Sequence, residues 1–324
     1  MDDKKLWDDF VESSLNGSLF HKWDFLNIIE KHSNTKLLSY VIYKGDKILA
    51  LFPLFVGKKT ILNMVMSPPF SFSPYLGPII NFEFIDLKQD KKESLLNSMT
   101  QEVSSEIKKF SPDYMRIKVT PGFSDIRSFK WEGYNIDPYY TYIIDLNHNL
   151  DELWNNLKKS CRKDIRAVED KLILKKSQDF SELYKLVKSR YGEQRIAAPS
   201  MISSSFLTEI NEKFKDNLDL FYLYHKDRVI SSQLIAKYRN VYLTWIGSVK
   251  TKDIRGGNEY LSWELMKIAK SEGYEKFELH GANTINLCEF KSKFNPALDM
   301  GFDIYKKSIK GYVGEGIYLK FLKR

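Results

Sequence analysis

The sequence predicts an α/β fold, more closely α+β, in which one unit of hairpin, helix and strand is used twice. Three observations carry this. Residues 40–48 and 221–229 match in type at almost every position, each an aromatic or β-branched run, a short polar turn and a second apolar run. In each half a helical pattern leads directly into a strand: Lys88–Phe110 into Tyr114–Val119, then Asn258–Glu272 into Lys276–His280. Strands that pair as hairpins and then alternate with helices make a mixed, largely antiparallel sheet with helices on its faces.

The boundary is expected near Asn147-His148-Asn149, giving domains 1–148 and 149–324. Asn149 is an N-cap candidate, and Glu152, three residues on, completes a capping box. One amphipathic helix is expected to follow, with Leu153, Leu157, Cys161, Ile165 and Val168 on its apolar stripe. Lys158, Arg162 and Arg166 recur at i, i+4, i+8 on the other side, with only Asp164 against them. That face is either ordinary solvated surface or the seat of an anion, because a stripe of one sign repels itself. Next come a strand (172–176), helices over 180–191 and 203–214, the second hairpin and a strand over 241–248. An Arg255-Gly256-Gly257 loop opens the next helix, and a short helix (287–294) and a strand (300–305) close the pattern. The tail 306–324 has Glu315 against six basic residues, interleaved with apolar ones, and reads as a docked terminal element.

With 324 residues, 43% apolar and 28% charged, the composition is globular. Cys161 and Cys288 lack metal-type spacing, which argues for a reducing compartment and against a disulfide framework or zinc site. The opening Met1–Asp9 is acidic and polar, so no secretory leader is expected. No run approaches the ~20 apolar residues of a spanning helix. A cytoplasmic location follows as an expectation, with peripheral membrane contact left open. The net charge of +8 favours anionic partners, although lysine-rich proteins often carry such an excess without a specific partner. Arg162, Arg166 and Arg195 are phosphate-binding candidates because a guanidinium suits bidentate recognition. Tyr242 and Trp245 lie on opposite faces of their strand, so at most one of them faces a cleft. There is no phosphate loop, His-Glu-x-x-His, nucleophile elbow or Cys/His cluster.

The second half carries a further pattern: Leu153-Trp154 … Arg162 … Ile165-Arg166, then Tyr242-Leu243-Thr244-Trp245-Ile246-Gly247, then Tyr260-Leu261-Ser262-Trp263-Glu264-Leu265. It ends on Phe277-Glu278-Leu279-His280-Gly281-Ala282 and Glu289-Phe290-Lys291-Ser292-Lys293-Phe294. In order and spacing it resembles the FemA/FemB/FemX family and its GNAT-like relatives, whose closing signature is a Phe-Lys pair followed by another Phe. The first half resembles the family more loosely, through Phe20, Pro53-Leu54 and Tyr75-Leu76-Gly77-Pro78.

The resemblance implies two tandem GNAT-like domains with the reaction in the C-terminal one. It also implies transfer of an aminoacyl group from tRNA to an amine, commonly on a peptidoglycan precursor, with no metal and no resident cofactor. Related proteins use other acyl donors or serve surface-polysaccharide and amino-sugar pathways. Lys291 is the residue the signature matches, an ammonium for the oxyanion or leaving oxygen, and Lys293 is expected to matter less. Glu289, Glu278 and His280 are candidate bases for the attacking amine. CoA-dependent relatives hold pyrophosphate on a glycine-rich loop at a helix N-terminus. Here Asn258 and Tyr260 stand where that loop's later small residues belong, and Tyr260 is expected to crowd a CoA donor. An N-acyltransferase using acyl-CoA or an acyl carrier protein is the second reading. A non-catalytic RNA-binding protein is the third.

Overall fold

The computed structural model describes residues 4–70, 72–193, 203–247 and 254–322. Two compact units divide the chain: Met1–Tyr139 with Met300–Arg324, and Tyr140–Ala198 with Ile202–Asp299. The chain opens with α1 (Lys4–Ser13), α2 (Trp23–Ser33), β1 (Lys36–Lys44), β2 (Lys47–Lys59), β3 (Leu62–Ser67) and β4 (Ile79–Ile80). Next are α3 (Gln89–Lys108), β5 (Tyr114–Lys118), α4 (Arg127–Trp131) and β6 (Asn135–Asp145). The middle is α5 (Leu150–Asn156), α6 (Lys159–Arg166), β7 (Leu172–Ser177), α7 (Ser181–Glu193) and α8 (Ser204–Phe214). Then come β8 (Leu218–His225), β9 (Arg228–Tyr238), β10 (Val241–Gly247), α9 (Gly257–Ser271) and β11 (Lys276–Leu279). Last are α10 (Ile285–Lys291), β12 (Ala297–Lys307) and α11 (Ile309–Leu322).

In the first unit β1, β2 and β3 form an antiparallel meander, β5 lies parallel to β3, and β12 pairs antiparallel with β5. A parallel pair needs a crossover, which α3 supplies. The second unit repeats this order. Strands β8, β9 and β10 form the meander with β7 added at its edge, β11 is parallel to β10 across α9, and β6 closes antiparallel on β11. The repeated α/β unit read from the sequence is therefore present.

The closing strands are exchanged. Strand β6 follows β5 in the chain yet pairs with β11, while β12 follows β11 yet pairs with β5. This is why the division falls at Tyr139, inside β6, and why Met300–Arg324 returns to the first unit, rather than a single cut at 148/149. The Asn149 signal itself is real. Its side chain accepts from Glu152 N and Glu152 returns a bond to Asn149 N, both 2.9 Å. A capping box marks where a helix begins, and here the domain has begun already.

The single helix expected after Asn149 is two. Leu157 and Lys158 are extended (ψ 141° and 137°) and separate α5 from α6. Arg162 Nη1 donates to Asn155 O (2.6 Å) and Leu157 O (3.0 Å), satisfying carbonyls at the end of α5. Lys158 N donates to Lys293 O at 2.8 Å. The stripe survives the break: Leu153, Leu157, Cys161 and Ile165 are all buried in the core of the second unit, with Leu265, Met266 and Phe277. Lys158, Arg162 and Arg166 stay together on α6, but the Arg162 guanidinium is turned back onto the α5 carbonyls.

Candidate active site

Strands β10 and β11 pair from Val241↔Lys276 to Thr244↔Leu279 and then part. Beyond that point β10 bulges: Thr244 opposes Ile235 and Ile246 opposes Leu234, leaving Trp245 unmatched on β9. Thr244 Oγ1 donates to Glu278 O (3.0 Å) and accepts from His280 N (3.3 Å), so a side chain continues the ladder where the backbones separate. This is the carboxyl end of the parallel pair, the edge where open α/β sheets place ligands.

Lys291, the last residue of α10, reaches this edge. Its Nζ donates to the carbonyl oxygens of His280 and of Gly281, the latter at 2.7 Å. An ammonium has three N–H donors, and these contacts use two. Burial pushes Lys291 down to about 8, partly opposed by Cys288 and Glu278. This is not a lysine trailing from a surface helix. It is poised between acid and amine near neutral pH and fixed by backbone.

The other candidates separate by geometry. Glu289 lies two residues from Lys291 on α10, a spacing at which side chains do not face each other, and it is exposed. Glu278 is buried and accepts from Thr141 Oγ1 at 2.9 Å. Phe277 and Leu279 point into the core, so Glu278 and His280 occupy the opposite face of β11. Trp245 packs edge-on against Phe206 of α8, with ring centroids 6.5 Å apart. Tyr242 is fully buried, stacked on Phe277 and edge-on to Tyr274. It is a core residue and not a ligand contact.

Sequence reasoning did not read Cys288 as a neighbour of Lys291. Cys288 sits one helical turn before it, on the same side of α10, and hydrogen-bonds Tyr142, whose phenol that contact pushes up. Only the i, i+3 spacing of Cys288 and Lys291 was there to signal this. The other thiol, Cys161, is buried and pushed up to about 12, chiefly by desolvation.

The start of α9 lies close against α6. Gly256 is left-handed (φ 94°), and a Cβ there would run into the carbonyl oxygen of Asp164 on α6. Asp164 also pairs with Arg255 at 3.1 Å. Glu259, in the first turn of α9, is buried and pairs with Lys293 at 2.7 Å, which sets a carboxylate at the positive end of the helix. Tyr260 is partly buried and packs against the core of the unit. Arg162 is committed to carbonyls of α5, whereas Arg166 is exposed and lies over the Trp154 ring at 5.3 Å. Arg195 lies outside the described residues.

Lys293 is consequently no silent neighbour. Lys293→Ala is expected to cost about 1–3 kcal/mol of stability by stranding Glu259, with turnover largely retained. Pairing it with Glu259→Gln should recover most of the loss. A denaturation midpoint unchanged by Lys293→Ala would show the pair to be idle.

Comparison with known proteins agrees with this architecture. Residues 155–292 match the family model of the acetyltransferase (GNAT) domain. FemX superposes with a TM-score of 0.69 at 13% identity, over 94% of this chain and 96% of that one. This chain has the FemX fold. L-PGS from Bacillus licheniformis follows it at a TM-score of 0.59 and 12% identity, covering 99% and 98% of the two chains. A tandem GNAT protein from the clavulanic acid biosynthesis pathway gives 0.52 at 9% identity, covering 92% and 94%. No curated protein matches the sequence. The domain match makes this an acyltransferase, and the matched segment holds Thr244, Glu278, His280 and Lys291.

Proposed function

We propose that the protein transfers an aminoacyl group from charged tRNA to an amine on a cell-envelope or amino-sugar/peptide precursor. The observation that carries this reading is the seat of Lys291, an ammonium of lowered pKa fixed by the His280 and Gly281 carbonyls where β10 and β11 part. The neutral amine attacks the ester carbonyl, and the remaining N–H of Lys291 stabilises the oxyanion. As the C–O bond to the ribose breaks, Lys291 gives its proton to the leaving oxygen. His280, at the end of the same strand, takes the proton shed by the new amide nitrogen. A tRNA donor is supported by the +8 charge and by the buried carboxylate of Glu259 in the first turn of α9, a negative charge near the helix end that would bind a CoA pyrophosphate.

The second reading, acyl transfer from acyl-CoA, is favoured by the GNAT domain match and by the Gly256-Gly257 loop that opens α9. The deciding experiment incubates the protein with a nucleotide-linked peptidoglycan precursor and either charged tRNA or acetyl-CoA, and weighs the acceptor by mass spectrometry. A mass gain of one amino-acid residue with charged tRNA alone is expected. Acetylation from acetyl-CoA, with no response to charged tRNA, overturns the proposal in favour of the second reading.

A further inference from the structure

Helix α11 leaves large apolar side chains exposed along its first turns. The side that packs against the first unit is small or polar: Gly311 lies against the Asp113 carbonyl, Gly314 against Leu62, and Glu315 pairs with Lys307 at 2.6 Å. Among the described side chains of 309–317, the large apolar ones face out. Ile309 is 86% exposed, Val313 58%, Tyr312 53% and Ile317 52%, at the i, i+3, i+4, i+8 spacing of one helix face. An apolar stripe normally buries itself in the core, and exposed contiguous apolar surface marks a contact with something else.

What surrounds the stripe identifies that contact. Asp113 gathers three chain segments: its carboxylate accepts from Asn63 N (3.0 Å) and Ser308 Oγ (3.1 Å), and its carbonyl accepts from Ser308 N (3.0 Å). Lys310 Nζ ties the start of α11 to Ile61 O at 2.7 Å. Each of the three segments carries a Lys-Lys pair followed within two residues by an exposed apolar side chain: 58–59 before Ile61, 108–109 before Phe110, and 306–307 before Ile309. Lys108, Lys109 and Lys307 have carboxylate neighbours in Glu132, Glu106 and Glu315, but the lysines still outnumber the acids. Apolar side chains set among lysines match the boundary of an anionic bilayer, where the apolar groups enter the acyl region and the ammonium groups stay among the phosphates.

We infer that this face of the first unit, centred on α11, docks the protein onto an anionic lipid surface. The acceptor would then be met at the membrane, with the protein lying on it and not crossing it. Among the described residues no helix is long and apolar enough to span a membrane.

The test is sedimentation of the full chain with vesicles of phosphatidylcholine alone and of phosphatidylcholine with phosphatidylglycerol. Binding is expected only to the anionic vesicles and should weaken as salt is raised. Val313→Asp with Ile317→Asp, at positions exposed in the fold, should lower the partition coefficient by about tenfold or more with an unchanged circular dichroism spectrum. Lys58→Glu with Lys59→Glu should also weaken binding and flatten its salt dependence. No binding, equal binding to neutral vesicles, or wild-type binding by the Val313/Ile317 variant each overturns the inference. So does a concentration-dependent dimer that the same variant breaks, which would make a second copy of the chain the occupant. Vesicle binding is read without any acyl donor, so its failure is distinct from failure of the proposed transfer reaction.

Discussion

Lys291→Ala is expected to lower turnover by about 10²–10³-fold, the scale of losing one oxyanion donor, while costing only about 1 kcal/mol of stability. The side chain grips the carbonyls of His280 and Gly281, but these sit at a strand end where water can replace it. The pH dependence tests the role more closely. Burial lowers the Lys291 pKa to about 8, so the ammonium predominates below that pH and is lost above it. If the ammonium is the working form, kcat falls as pH rises through about 8, and the residual activity of Lys291→Ala lacks that limb. A variant within a few-fold of wild type, or a wild-type profile flat through this range, would remove Lys291 from the chemistry.

The repeated unit was legible because its signals are local. Hairpin patterns, helical stripes and the Asn149–Glu152 cap depend on residues close in sequence, and each is found where it was expected. What was not legible is set by pairing over long separations. The exchange of β6 and β12 matches strands about 130 to 190 residues apart, and nothing in either strand's own alternation names its partner. The break between α5 and α6 was hidden for a related reason. The apolar spacing runs through it unchanged, and Arg162, read as a ligand for phosphate, is spent on the carbonyls that the break exposes.

The site shows the same division. Lys291 and His280 were reachable from a short motif and a strand end, and the structure brings the Lys291 ammonium onto the His280 carbonyl. Glu289 is exposed and Tyr242 lies in the core, and a residue's neighbours in sequence do not fix which way it faces. Glu289 is two positions from Lys291 and points elsewhere, and Tyr242 is on the strand face that packs inward. Thr244 and Cys288 were not read as site residues because neither residue type is unusual in its place. Their importance lies in what they touch, which only the folded chain reveals.

Gly256→Ala is expected to cost about 2–5 kcal/mol, the largest stability effect of any single methyl addition at the head of α9. Two terms contribute. The left-handed backbone (φ 94°) penalises any Cβ by about 1–2 kcal/mol. The new methyl would also meet the Asp164 carbonyl oxygen, so α6 and the loop would have to move apart at about 1–3 kcal/mol. Gly273, just past the end of the same helix, separates these terms. It is also left-handed (φ 86°), but nothing lies within 4 Å of a Cβ built there. Gly273→Ala should therefore show the backbone strain alone. Denaturant midpoints of the two variants give the cost of the α6 contact as their difference. Equal losses would mean that the loop has room against α6. A larger loss at Gly256 would mean that the loop opening α9 is held rigidly against Asp164, at the helix end that already carries its own carboxylate in Glu259.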